Sequence, residues 1–203
     1  VTTASSIEPK QPWERLRLRD RIAPDLRLLF VGINPGVRSA TTGHHFAGYS
    51  NRFWSLLWES GLVPERLRAE DDARLLEWGL GITNLVARPS PGIDTLRPAE
   101  YVAGWHVLER KIRRYRPRIV AFVGVTSFRA VLPLVEADLP KTRARKQSPP
   151  KSLVGLQRLS IHGAKVFVLP NPSGRNANFT YAEMLAAFRS LNRLVTKSEE
   201  DVR

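Results

Sequence analysis

Four short apolar runs, Leu26–Ile33, Gly81–Val86, Ile119–Gly124 and Lys165–Pro170, constrain the fold of this chain more than any other feature. Each is rich in β-branched or aromatic side chains, nearly continuous in apolarity and bounded by turn formers, the pattern of a strand covered on both faces. Between them the apolar residues recur at helical spacing. Phe53, Trp54, Leu57 and Trp58 form one stripe within 50–61, and Leu67, Leu75, Leu76 and Trp78 predict a second helix opened by Pro64. Tyr101, Val102, Trp105, Leu108 and Ile112 place a long helix over Pro98–Tyr115, with shorter ones over Thr126–Val135 and Tyr181–Val195. Strands alternating with helices predict an α/β fold, a three-layer α/β/α sandwich around a mostly parallel sheet of four to five strands. The fifth strand would come from a hairpin in which Leu156–Ile161 turns through His162-Gly163-Ala164 into Lys165–Leu169.

A chain of 203 residues suits one core. The expected organisation is an N-terminal extension over 1–20, partly disordered, one domain over 21–196, and a disordered tail over 197–203. Residues 141–151 (KTRARKQSPPK) have little to bury and predict a basic surface loop, either a solvated insertion or a contact to a polyanion. No run approaches the roughly 18 apolar residues of a membrane helix, and residues 1–10 lack the apolar stretch of a signal peptide. The expected location is the cytoplasm, beside the nucleoid if the source is bacterial.

The chain has no cysteine, which excludes disulfides, thiolate metal sites, cysteine nucleophiles and cysteine-held iron–sulfur clusters. His44, His45, His106 and His162 have no metal-ligand spacing and no paired carboxylates accompany them, so neither metal nor cofactor is expected. A formal net charge of +13 makes nucleic acid the leading partner, although a solvated arginine-rich face would give the same count. Like charge repels like, and a monomer is expected.

Two loops carry the candidate chemistry. Gly32-Ile33-Asn34-Pro35-Gly36 follows directly on the first strand, at the carboxyl end where parallel sheets bind ligands. Its glycines allow close backbone approach, and Pro35 stiffens the turn that aims Asn34 outward. Pro170-Asn171-Pro172-Ser173-Gly174 follows the last strand in the same way, so the two Asn-Pro loops would face each other across one cleft. Asp94, in the loop Arg88–Asp94, is either a carboxylate at the cleft mouth, able to act as a base, or a turn aspartate ahead of the long helix.

The ordered trio GINPG (32–36), FAGYSNRFW (46–54) and LPNPSG (169–174) resembles the mismatch-specific uracil-DNA glycosylases and thymine-DNA glycosylases, members of the uracil-DNA glycosylase superfamily. The resemblance runs from about Leu26 to Leu194. It implies that Asn34 positions the water that attacks the sugar, that Phe46 stacks on an extruded base, and that the backbone of Ile33, Pro35 and Gly36, with Ser39, lines the base pocket. It further implies that Asn171 and Ser173 hold the DNA backbone, and that Gly174, Arg175 and Asn176 form the wedge entering the duplex. The bacterial pattern has leucine where Arg175 stands, whereas the thymine-DNA glycosylase branch has arginine. A further family arginine is replaced by Ala177.

What the resemblance implies is a monofunctional glycosylase that flips uracil, or thymine or etheno-cytosine, out of mismatched double-stranded DNA such as G:U and hydrolyses the N-glycosidic bond. No lysine falls in the three motifs, which argues against a Schiff-base lyase step. Two alternatives stay open: another branch of the superfamily with broader substrates, and a non-catalytic basic nucleic-acid-binding module.

Overall fold

The structure, a computed structural model, describes residues 11–137 and 153–200. Five strands form one sheet: β1 (Leu28–Gly32), β2 (Leu80–Asn84), β3 (Ile119–Val123), β4 (Gly155–Ile161) and β5 (Ala164–Leu169). Their order is β2-β1-β3-β5-β4; all neighbours are parallel except the edge pair β4–β5, which is the expected hairpin.

Every residue of β1 and β3 is buried, and their side chains alternate between two apolar layers. Leu28, Phe30, Ile119 and Ala121 face a layer built from α2 (Phe53–Glu59), the segment Ala69–Trp78 and α5 (Tyr181–Glu200). Leu29, Val31, Val120 and Phe122 face the opposite layer, built from α3 (Pro98–Tyr115) and α4 (Val125–Ala137). A strand buried on both faces needs a cover on each, which is why the sandwich has three layers. A short helix that the apolar pattern does not announce, α1 (Val37–Thr42), follows β1 and ends at Gly43 in the left-handed region (φ 77°).

Two expectations change. The helix expected to open at Pro64 is instead a 3-10 segment, Ala69–Trp78. Its buried residues, Ala69, Asp72 and Leu75, recur every third position, the period of a 3-10 turn rather than of an α-helix. The tail expected to be disordered from residue 197 continues α5 to Glu200, because Val195 and Ser198 are buried and Lys165 Nζ donates to Ser198 Oγ (3.1 Å). The extension over 1–20 is tied into the domain at its end. Asp20 accepts from Thr83 Oγ1 (2.7 Å) and pairs with Lys111 Nζ (2.6 Å), and Arg21 bridges Ile82 beside β2. The basic loop 141–151 and residues 1–10 lie outside the described residues.

Helix α3 reaches the sheet through Gly104. A Cβ there would collide with the carbonyl group of Leu85, a backbone group that cannot rotate away. Gly104→Ala is therefore expected to push α3 off the end of β2 and to lower stability by about 1–3 kcal/mol, read as a thermal midpoint lower by roughly 2–4 °C per kcal/mol.

Candidate active site

With this strand order, the carboxyl ends of β1, β3 and β5 lie side by side, and the two Asn-Pro loops leave the sheet on either side of β3. Gly124, which ends β3 with φ 120°, allows them to converge. A Cβ at that position would lie 3.3 Å from Ile33 Cδ1 and 3.7 Å from Asn171 Cβ. Above it opens a cleft of about 880 Å³ lined by Ile33, Asn34, Pro35, Gly36, Ser39, Phe46, Asp94, Asn171, Ser173, Arg175 and Asn176. Asp94 and every residue to which the family resemblance assigned a role thus border one cavity, except Gly174, which packs against Ser50.

The Asn34 side chain is held by its nitrogen. Nδ2 donates to Arg88 O (3.1 Å), Pro35 O (3.2 Å) and Ser90 Oγ (2.8 Å). Carbonyl oxygens only accept, and the Ser90 hydroxyl donates its own proton to Gly92 O (2.7 Å), so the amide cannot turn round without setting oxygen against oxygen. Oδ1 is the polar atom left for a ligand. The loop that supplies these acceptors is itself clamped. Glu100 takes Arg88 at two points (Nε–Oε1 2.6 Å, Nη2–Oε2 3.0 Å) and also accepts from Arg97 N at the start of α3 (2.9 Å). The Arg88 hydrogen bond, aided by that backbone N–H, holds the Glu100 carboxyl down to about 2. Asp94 lies exposed on the 3-10 turn Ile93–Thr95 at the mouth of the cleft, and its side chain makes no hydrogen bond to Asn34 among the described residues.

Phe46 occupies a left-handed backbone position (φ 53°), and its ring stacks on buried Phe53 (centroids 4.0 Å apart, planes at 18°). The loop beneath it is tied down on all sides. Ser39, expected in the base pocket, lines the cleft and also accepts from Ala47 N through Oγ (3.0 Å). Asp72, fully buried, accepts from His45 N (3.0 Å) and from Arg21 Nε (2.9 Å), while His45 Nε2 meets Arg19 O (3.0 Å) and Trp54 Nε1 donates to His45 O (3.2 Å).

The second loop is built from its own polar groups. Asn171 Oδ1 accepts from Ser173 N (3.1 Å), Asn176 Nδ2 donates to Asn171 O (2.7 Å), and Asn176 N donates to Ser173 O (2.9 Å). It is braced against the first lip of the cleft, since Arg52 N donates to Pro172 O (2.9 Å). Gly174 sits so close to Ser50 that a Cβ would lie 2.5 Å from Ser50 Cβ and 2.8 Å from its carbonyl oxygen. Arg175 is exposed at the tip.

Two cleft residues escaped the sequence reading. Asn84 ends β2 in register with Gly32, with its amide oxygen against that glycine, and Ser90 fixes Asn34. The only signal for either was a polar residue at the end of a strand and a serine between two prolines.

Burial holds the His45 imidazole below its ordinary value of 6.5. The folded state therefore resists a proton that the unfolded chain accepts, so stability is full above about pH 6.5 and declines as the pH falls below it. The expected outcome is a thermal midpoint that drops between pH 7 and 5.5 in the wild type and drops less in His45→Gln, whose amide can reach the same carbonyl. Glu100 acts in a lower window: its contribution is complete above about pH 4.5 and is lost as the pH falls towards 2.

The model of the uracil DNA glycosylase superfamily matches residues 19–193 of this chain. Among solved structures, a solution NMR structure of a protein from Methanosarcina acetivorans, named as a candidate uracil DNA glycosylase, is similar in fold. It shares 18% identity with a TM-score of 0.56, over 87% of this chain and 98% of that one. The match takes in both Asn-Pro loops, Phe46 and the serine that fixes Asn34, and the chain belongs to the uracil DNA glycosylase superfamily, whose chemistry is hydrolysis of the bond between base and sugar in DNA.

Proposed function

We propose that the protein is a monofunctional glycosylase that removes uracil, and related pyrimidines, from mismatched double-stranded DNA. The observation that carries this reading is the Asn34 amide, pinned by three acceptors with its oxygen left for a ligand, in the cleft that Phe46 also lines. An extruded base would stack on Phe46, an interaction worth about 1–3 kcal/mol for aromatic faces generally. Asn84, with one donor and one acceptor group, suits the polar edge of a pyrimidine.

A water bound by Asn34 Oδ1 directs its lone pair at the anomeric carbon. The new C–O bond forms as the C–N bond breaks, the base leaves with the bonding electrons, and the water's proton passes to solvent or to the departing base. An amide is no strong base, so Asn34 contributes orientation and a fixed dipole against the positive charge growing on the sugar. Slow turnover is the expected consequence. Asp94 would be the better base, but it is exposed at the rim and unconnected to Asn34, which favours its turn role.

Asn171 and Ser173 would grip the phosphates flanking the flipped nucleotide, and Arg175 would fill the vacated space and hydrogen-bond the orphaned base, as a planar donor fork can. Extrusion costs least where pairing is already poor, which is a physical source of preference for G:U. No lysine lines the cleft among the described residues, which supports hydrolysis without a lyase step.

Single-turnover release from G:U, G:T, A:U and single-stranded uracil oligonucleotides tests the reading. Release is expected to be fastest from G:U, to fall about 10²-fold or more in Asn34→Ala, and to stay within roughly 3-fold in Asp94→Ala. Full activity in Asn34→Ala with none in Asp94→Ala would transfer the water to Asp94. Tight binding without any abasic product would make the protein a binding module.

A further inference from the structure

Tyr49 stands on the lip of the cleft with 90% of its surface exposed, the most exposed large hydrophobic side chain of the described residues. It is nevertheless held in place. Arg38, on α1, lays its guanidinium over the Tyr49 ring (3.7 Å to the centroid), donates through Nη1 to the phenol oxygen (2.7 Å) and through Nε to Ala47 O (2.7 Å). The tip that carries Tyr49 is closed by Asn51 N donating to Gly48 O (2.9 Å) and is braced by Gly174 against Ser50. No carboxylate among the described residues is paired with Arg38, so the stack is cationic.

An aromatic ring fixed on one face, bare on the other and backed by an unneutralised cation is suited to a flat, electron-rich ring carried on an anionic chain. In intact duplex the faces of bases are covered by their neighbours. They are uncovered where a nucleotide has been swung out of the stack, and Tyr49 lies on the same lip as the Ser50–Gly174 contact beside Arg175.

We propose that Tyr49, backed by Arg38, is a stacking platform for the base next to the extruded nucleotide on the same strand. The inference rests on the glycosylase reading for the position of that strand, and adds a contact outside the base pocket that binds the DNA rather than acting on the reacting bond. Because the ring supports binding and not chemistry, its removal weakens affinity and leaves the saturated rate of base release in place.

The test is a coupling cycle on binding to an uncleavable duplex carrying 2′-fluoro-2′-deoxyuridine opposite guanine. The base on either side of the uridine is removed in turn by an abasic spacer, and each duplex is titrated with wild type, Tyr49→Phe, Tyr49→Leu and Tyr49→Ala. Tyr49→Phe is expected to bind within about 2-fold of wild type, and Tyr49→Leu and Tyr49→Ala about 10-fold more weakly. At one of the two neighbours, spacer and Tyr49→Ala together should cost no more than either alone, and whatever the spacer does to the DNA itself cancels between proteins. Multiplying losses at both neighbours, or Tyr49→Leu binding like Tyr49→Phe, would overturn the platform. The two readings separate cleanly. Coupling in a protein that releases no uracil from a cleavable duplex keeps the platform and removes the glycosylase, whereas release without coupling does the reverse.

Discussion

Strands β1 and β3 have no exposed residue, and that burial governs the rest of the molecule. A side chain that must pack against a helix layer cannot also meet a ligand, so the middle of this sheet is closed to chemistry. What remains is the ends. All three central strands run in the same direction, so the loops that follow them gather at one end, where β1, β3 and β5 stop within one register of each other. The cleft is therefore a consequence of topology before it is a consequence of any particular residue.

Polar groups then convert that opening into fixed geometry. Two small networks carry most of the work. Asp72, inaccessible to water, is satisfied by a backbone N–H and the Arg21 guanidinium, and so fastens the N-terminal strap and the 3-10 segment to the loop bearing Phe46. A carboxylate that deep costs stability unless its partners are in place, which makes the arrangement all-or-none. On the other side of the cleft, Glu100, Arg88, Ser90 and Asn34 form a chain in which each group limits the freedom of the next. Orientation of the Asn34 amide thereby depends on groups more than 50 residues away in sequence, on the loop after β2 and at the start of α3.

The sheet was legible in the sequence because continuous β-branched and aromatic runs have few other ways to be buried. The cleft was legible because two similar loops follow two such runs. Period-three burial was not. In Ala69–Trp78 the decisive buried residue is Asp72, and a charged residue does not register as core until its partners are known. Ser90 and Asn84 were silent for a similar reason. Their importance lies in what they face, and facing is set by pairings between β1 and β2 and between the loops that follow them, which spacing along one chain does not reveal. Tyr49 would ordinarily pass as an aromatic in a loop; only its near-complete exposure and its seat on Arg38 distinguish it from a core residue.

The bond from Arg52 N to Pro172 O and the close seat of Gly174 on Ser50 join the two lips of the mouth through main chain. Jaws fused at the hinge do not close. Whatever curvature or unstacking is needed to bring a nucleotide into the cleft then falls on the nucleic acid, whose stiffness varies from one base step to the next. Sequence context around a lesion would then be felt as mechanical compliance, at base steps beyond those that the protein contacts.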